Sequence, residues 1–430
     1  MNKLCVMASL ALGVSTFTIT TSQAVESPAS SVEELKRQMD ILSNEVQKLK
    51  MGEAGAGVRA DHSQYGFGPA ASKVYRIEHG VSLGGYGEFL YQHFANSKHD
   101  GTTSGISDQI TMMRAVLYTG YKFDENWLLN TELEVENGTT ENNKGSVSIE
   151  FAYLDRLISP AFNARLGLLL LPMGLINELH EPTVYLGTQR PDVETVLIPA
   201  TWADDGFGFF GDLGQVSYKQ YFVAGLDASG FTDAGIREGR TGGAKTDASH
   251  WASVTRLDYT GIAGLLTGVS AYIGNASAEK PAAKGGGMKV PIGIYDFHVD
   301  WHHRGLQLRT VGVYSTLGKI GDLNNGRNLV GSQSVGDSQR GIYFEGGYDV
   351  LAGGTSTQAL IPFLRWEYYD TQASVPQGFV RNDANLVRLL TAGVNYKPID
   401  QIVLKADFRD YFLGDGTGVN QIGVAAGYVF

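Results

Sequence analysis

Residues 421–430 of the chain read QIGVAAGYVF. Successive side chains of a β-strand point to opposite faces, so this stretch would have one apolar face that ends in an aromatic residue and one face of mostly small residues. The apolar face carries Ile422, Val424, Ala426, Tyr428 and Phe430. An apolar face of this length, finishing in aromatic residues, predicts a strand that contacts lipid in a transmembrane β-barrel.

The same alternation recurs upstream. From about Val81 to the end, the chain divides into about sixteen segments of alternating polarity, joined in turn by short and long connections. The short connections are 124–126, 159–160, 212–214, 261–264, 302–305, 352–354 and 397–400. The long connections lie near 95–107, 137–145, 173–205, 227–249, 275–289, 316–339, 371–384 and 412–419. This rhythm is typical of outer-membrane barrels, with tight periplasmic turns and longer outer loops. We therefore predict an all-β fold in which residues 81–430 form a transmembrane antiparallel barrel of about 16 strands.

Charged residues keep to one face of these segments. In residues 129–136, the glutamates alternate with leucine, threonine and valine. A charged side chain that faces lipid near the bilayer midplane costs roughly 2–4 kcal/mol, so the charged face must point inward. A soluble β-sandwich also alternates, but it would predict neither aromatic residues near the strand ends nor the turn rhythm. The predicted pore-wall residues are Arg114, Glu132, Glu134, Arg156, Arg165, Arg256, Asp296, His298, Arg309, Arg365 and Arg409.

The first 24 residues have the layout of a cleaved secretory signal: Lys3, an apolar run and a small-x-small site that ends at Ala24. Cys5 is the only cysteine and would leave with this signal, which excludes disulfides, thiolate metal sites and cysteine nucleophiles. The net charge of -11 makes a poor nucleic-acid binder. We predict export to the outer membrane of a Gram-negative bacterium, and no cofactor.

Residues 25–51 predict a short periplasmic coiled coil. Their apolar residues follow steps of three and four, with charged residues between them. The seam consists of Val32, Leu35, Met39, Leu42, Val46 and Leu49. Valine and leucine at these positions favour dimers in isolated parallel peptides, but a barrel trimer downstream could override so short a preference. The alternative is a single amphipathic helix. Residues 52–80 are predicted to be a linker.

The chain resembles a family of porins at several sites. The stretch 65–75, YGFGPAASKVY, together with 84–88, GGYGE, is similar to the start of barrels in the family of phosphate-selective porins O and P. Residues 150–155 and 171–178 resemble the same family. The resemblance implies a sixteen-stranded homotrimer, and the N-terminal coiled coil is similar to that of sucrose-type porins. Tyr428 and Phe430 resemble the signal recognised by the barrel assembly machinery.

The longest connection, 172–205, is the candidate for a pore constriction, because ion and solute selectivity is set at the narrowest point. Its candidate residues are Glu178, His180, Glu181, Arg190, Asp192, Glu194, Asp204 and Asp205. Phosphate-selective members carry a ladder of arginines and lysines, so this acidic loop argues against phosphate selectivity. If the loop enters the lumen, its carboxylates would face the wall arginines and orient dipolar solutes; otherwise they are solvated on an outer rim. We predict a passive pore for small hydrophilic solutes, cationic or neutral.

Some residues of the sequence allow three other functions. A barrel hydrolase would need a histidine beside a nucleophile, and His180 is the closest candidate, without a Gly-x-Ser-x-Gly sequence. Metal binding at His298, His302 and His303 matches no standard spacing. The coiled coil could also bind peptidoglycan and act as an envelope tether. We predict that the protein is not an enzyme.

Overall fold

A computed structural model describes residues 38–39, 63–138, 145–278, 287–354 and 357–430. The chain divides into two units, residues 1–49 and 50–430, and the fold below is that of the second. Among the described residues, no helix combines the length and apolar composition needed to cross a bilayer. The predicted signal and the predicted coiled-coil seam, except Met39, lie outside the described residues.

Within the described residues, the second unit contains sixteen strands and three short α-helices. The strands are β1 Gly80–Phe94, β2 Gln109–Lys122, β3 Trp127–Glu136, β4 Ser146–Ser159, β5 Phe162–Leu170, β6 Ala203–Leu213, β7 Val216–Ala224, β8 Trp251–Tyr259, β9 Leu265–Ala278, β10 Met288–His303, β11 Leu306–Leu317, β12 Ser338–Tyr348, β13 Ala359–Ser374, β14 Leu386–Ile399, β15 Ile402–Leu413 and β16 Gln421–Val429. The helices are α1 Lys73–Arg76, α2 Asp192–Val196 and α3 Ile320–Gly326.

The strands form one closed antiparallel barrel. Each strand pairs with its neighbours in sequence, and β1 pairs with β16 in a register that places Tyr86 opposite Val429. Phe430 extends this seam, because its N–H donates to Gly85 O at 2.9 Å and its carbonyl accepts from Gly85 N at 3.1 Å. Gly85 has room for no side chain: a Cβ there would lie 2.3 Å from Val116 O and 2.7 Å from the Phe430 ring. The predicted fold class is confirmed.

The outer surface is apolar and the inner surface is charged. In β13, Arg365 and Glu367 are 0% exposed, whereas Leu364 and Trp366 between and beside them are 54% and 40% exposed. Exposed aromatic residues also stand near both ends of the strands. They include Trp127, Phe162, Tyr259 and Tyr348 near one end and Tyr91, Phe222, Trp251 and Phe412 near the other. This arrangement matches the apolar band between two aromatic belts of a membrane barrel.

The two ends of the barrel differ in their connections. One end, called here the short-turn end, carries tight turns in which Gly214 and Gly305 adopt φ of +69° and +85°, a conformation that favours glycine. The opposite end, the long-loop end, carries connections such as 95–108, 225–250 and 318–337. The connection between β5 and β6, residues 171–202, belongs to the long-loop end but turns into the barrel and is called the inner loop below.

Candidate functional site

The inner loop lies inside the barrel and contacts its wall on every side. Sixteen-stranded barrels enclose a lumen wide enough for an aqueous channel, so an inserted loop decides how much of it is open. Hydrogen bonds link the loop to β1, β3, β4, β7, β8, β10, β12, β13, β14 and β15. Nearly all of its side chains are buried. The loop therefore crosses the lumen and narrows it strongly.

One side of the inner loop packs against apolar side chains of the barrel wall. Its residues Met173, Leu197 and Trp202 belong to one buried cluster with inward-facing aliphatic and aromatic side chains of β8 to β12. The Trp202 and Tyr272 rings lie 4.8 Å apart between centroids. A buried apolar side chain of this size stabilises a fold by about 1.5–3 kcal/mol. The inner loop is therefore packed like part of a protein core along this stretch of wall.

The root of the loop is clamped at Gly174. Asp296 accepts a hydrogen bond from Gly174 N at 3.1 Å, and Arg256 donates to Gly174 O. His298 lies between the two carboxylates, with its ring nitrogens 2.7 Å from oxygens of Asp296 and Asp258. Asp296 and Arg256 thus bind both backbone groups of Gly174, and His298 and Asp258 connect these two side chains, which fixes where the loop enters the lumen.

The acidic residues of the loop each have a specific partner. Glu178 forms an ion pair with Lys219 at 2.5 Å, and Asp192 pairs with Arg409. Glu194 accepts from the backbone N–H groups of Leu175 and Ile176, both at 2.7 Å, so the two arms of the loop meet there. Only Asp192 pairs with one of the predicted wall arginines. The other carboxylates hold the loop in place rather than face a row of arginines.

His180 and Glu181 are buried residues of the inner loop. The His180 ring contacts Glu132 at 3.1 Å and the Asn177 carbonyl at 3.0 Å. Burial, followed by the charge of Arg190, lowers the pKa of His180. Burial raises the pKa of Glu181 to about 8 although two backbone N–H groups favour its charged form.

Wall arginines pair mainly with wall carboxylates. Across β10 to β13, Arg309 bonds to Asp300 at 3.0 Å, and Arg365 bonds to Glu345 at 3.1 Å and to Glu367 at 2.9 Å. On the opposite wall, Arg114 lies 3.3 Å from Glu88 and 3.6 Å from Glu134. These arginines occupy the strand positions whose side chains alternate toward the inner face, and their carboxylate partners occupy inward-facing positions as well.

Three of the predicted site residues lie elsewhere. Arg156 was expected on the inner face, but a bulge at Glu150 shifts the pairing of β3 with β4 and reverses the phase of β4, so Asp155 is buried and the Arg156 guanidinium stacks 5.2 Å from the outer Trp127 ring. Asp204 and Asp205 were expected in the constriction loop, but β6 begins at Ala203. Asp204 is buried there and bonds to Thr241, whereas Asp205 is exposed.

A second segment also packs against the inner wall. Residues 63–79, predicted as part of a linker, place Phe67, Val74 and Tyr75 in the buried cluster. Ala71 O accepts from Asn130 of β3, and the N–H groups of Ala70 and Ala71 donate to Glu181 at 2.9 and 3.0 Å. This segment therefore joins the inner loop to the wall. Its aromatic residues in a glycine-rich stretch were the only sequence signal for such packing.

Arg165 and Asp155 form an enclosed ion pair beside residues 63–79. Its guanidinium binds both oxygens of Asp155 at 2.7 and 2.8 Å, donates to Tyr75, and lies 4.0 Å from the Tyr153 ring centroid. Both side chains are nearly inaccessible to solvent. Two-point binding of a carboxylate by arginine is among the stronger charge-assisted contacts.

Replacing Arg165 with methionine is expected to lower the free energy of unfolding by about 3–5 kcal/mol, because Asp155 would remain as a buried, unpaired charge. The measurement is urea unfolding of the barrel in lipid vesicles. The matched control is the double variant D155L/R165M, which removes both charges and should recover most of the loss. Equal destabilisation of the single and double variants would show that the ion pair is not the cause.

Among the described residues, no group of three or more His, Cys, Asp or Glu side chains is arranged to hold a metal ion. His302 instead hydrogen-bonds to Asp300 at 2.8 Å, and His303 stacks on Trp301 with centroids 5.8 Å apart.

Comparison with known proteins identifies one relative at the level of sequence. An uncharacterized protein of Aquifex aeolicus (strain VF5) is 35% identical over 361 residues, which cover 80% of this chain and 79% of that protein. The chain belongs to the family of this Aquifex protein. No family model matches the chain.

Solved structures show the same fold as this member of the Aquifex family. It is similar to OmpF of Salmonella typhi, solved in complex with daunomycin (TM-score 0.53, 11% identity, 82% of this chain and 98% of that chain), and to the anion-selective porin from Comamonas acidovorans (TM-score 0.51, 12% identity, 82% and 100%). A loop L8 deletion mutant of OmpT, an outer membrane protein of Vibrio cholerae, gives a TM-score of 0.50 at 11% identity, with 82% and 100% covered. At this level of identity the likeness establishes a porin-like barrel fold, which is typical of Gram-negative outer membranes.

Proposed function

We propose that the protein is an outer-membrane porin that forms a narrow, water-filled channel for small hydrophilic solutes. The observation that carries this proposal is the inner surface of the barrel: charged residues line the described strands, and a loop that crosses the lumen is bonded to them. A lumen built of ion pairs and narrowed by one loop discriminates by size and charge. The short-turn end then faces the periplasm and the long-loop end faces outward.

Uptake into lipid vesicles tests this proposal. Vesicles containing the purified protein should take up uncharged solutes at rates that fall steeply with size, from glycerol to a disaccharide, because the inner loop leaves little free cross-section. Protein-free vesicles give the background. Uptake no faster than background for every solute would overturn the pore.

The protein is proposed to be a channel and not a hydrolase. The described residues contain one Asp–His–Ser group, Asp247, His250 and Ser249, but both partners contact the same ring nitrogen, Nδ1, at 3.1 and 2.9 Å. A catalytic triad needs the two nitrogens to serve different partners. An esterase activity that disappears in an H250A variant would contradict this assignment.

The proposed assembly is a homotrimer in outer-membrane lipid, inserted by the barrel assembly machinery, with residues 25–51 as a periplasmic coiled coil. Deleting residues 32–49 is expected to abolish trimers on native gels while monomeric barrels still insert, because the apolar seam would be lost. A K36E variant, changed beside the seam, should keep its trimers. Normal trimer levels in the deletion variant, together with loss of cell-wall association, would favour the peptidoglycan tether instead.

A further inference from the structure

Two arginines at the long-loop end contact the inner loop without a carboxylate partner. Arg237 Nη1 donates to the carbonyls of Thr195 and Ala200, both at 2.7 Å. Arg240 donates to the carbonyls of Pro199 and Thr201. Neither guanidinium lies within ion-pair distance of an acidic side chain of the described residues, and each keeps unused N–H groups.

Carboxylates of β3 and β4 line the wall beside these arginines. Thr201 brings Glu150 and Arg240 close together, because its hydroxyl donates to Glu150 at 2.8 Å and its carbonyl accepts from Arg240. Glu136 also faces this mouth and is 40% exposed, so solutes can reach it. Burial lowers the pKa of Arg240, whereas the charges of Glu150, of Glu238 on the same loop, and of Glu136 and Glu134 act in the opposite direction. The mouth therefore has an acidic wall and a basic loop side.

The same separation continues deeper into the barrel. On the wall, the buried oxygens Glu134 Oε2 and Glu88 Oε1 have no hydrogen-bond partner, although Arg114 of β2 lies 3.6 Å from Glu134 Oε2 and 3.3 Å from the other oxygen of Glu88. On the loop side, Arg190 is 5% exposed and its Nε likewise has no partner. Buried polar atoms without partners are rare and costly, which points to a role beyond stability. Acidic wall residues and basic loop residues thus face each other along one track.

We propose that this track, Glu150, Glu136 and Glu134 opposite Arg240, Arg237 and Arg190, selects small zwitterionic solutes that carry a separate ammonium and carboxylate group. The ammonium binds the wall glutamates and the carboxylate binds the arginines, so one solute satisfies both sides at once. A singly charged solute satisfies one side and is repelled by the other. This inference rests on the proposed porin function and names its solute class.

Four solutes of three carbons each test the inference: β-alanine, propionate, propylammonium and propionamide. The measurement is uptake of each radiolabelled compound into protein-containing vesicles. β-Alanine should enter about tenfold faster than either singly charged compound, which corresponds to one good charge-assisted contact. The R237Q/R240Q variant should lose this advantage and the R237K/R240K variant should keep much of it. E136Q/E150Q should lose it as well.

Arg327 provides the matched control for a purely structural effect. It also joins loops by donating to backbone carbonyls, those of Ala228 and Phe231, but it lies outside the track. R327Q should leave the preference for β-alanine unchanged. Equal uptake of the four solutes by the wild-type protein, or an R327Q variant that behaves like R237Q/R240Q, would overturn the zwitterion track. Absence of propionamide uptake would instead overturn the pore itself.

Discussion

Deleting Phe430 is expected to reduce the amount of assembled barrel in the outer membrane several-fold. The residue contributes the last two backbone hydrogen bonds between the chain ends, both with Gly85, and its ring covers that glycine. Two such bonds contribute about 1–3 kcal/mol of net stability, and they close the seam that removes the two free sheet edges. Heat-modifiable mobility of the protein in isolated outer membranes measures the folded fraction.

Two variants separate the contributions of the backbone and the ring. F430A keeps both hydrogen bonds and loses the aromatic contact, whereas F430W keeps both features. We expect F430W to assemble normally and F430A to fall between the wild type and the deletion. Wild-type levels of assembled barrel in the deletion variant would contradict the role assigned to the terminal strand.

Replacing residues 178–193 with Gly-Ser-Gly is expected to raise single-channel conductance at least about threefold, because a wider passage conducts better. This arc carries the loop contacts to β7, β3 and β13 to β15. The replacement is feasible because the Glu194 side chain reaches the backbone of Leu175 and Ile176, so the two arms lie close together. A three-residue linker spans at most about 14 Å.

The control for this variant changes a different connection. Residues 279–286, between β9 and β10, are replaced by the same linker, and conductance should stay at the wild-type value. Both proteins are first shown to be folded by their heat-modifiable mobility. An unchanged conductance in the 178–193 variant would mean that the inner loop does not limit flow through the barrel.

The alternation of charged and apolar residues predicted which side chains of the strands face inward. The prediction works because the lipid bilayer excludes charged side chains from the outer face of the barrel. Arg309, Arg365 and Arg409 face inward as expected, since a charged side chain in lipid is costly and strand geometry alternates faces. Arg156 does not face inward as expected, because the bulge at Glu150 reverses which residues of β4 face inward. The alternation of polar and apolar residues does not indicate where such a bulge occurs.

The interior of the lumen was harder to predict because its contacts join distant parts of the chain. Acidic loop residues were expected opposite basic wall residues, but Glu194 bonds mainly to its own loop and Glu181 to residues 70–71. The track described above has the reverse polarity, with carboxylates on the wall and Arg190 on the loop. Only tertiary contacts reveal this, because Arg237 and Arg240 come from a different loop with no distinguishing motif.

The proposed porin function is tested most directly by the current through single channels of the wild-type protein in a planar lipid bilayer, followed by the zero-current potential across a gradient of potassium chloride at low salt. We predict discrete conductance steps of small size and a zero-current potential that indicates weak preference for cations. The chain carries 45 acidic residues against 34 lysines and arginines, which argues against a strong preference for anions. Absence of steps would contradict the channel, and strong anion selectivity would contradict the charge arrangement assigned to its lumen.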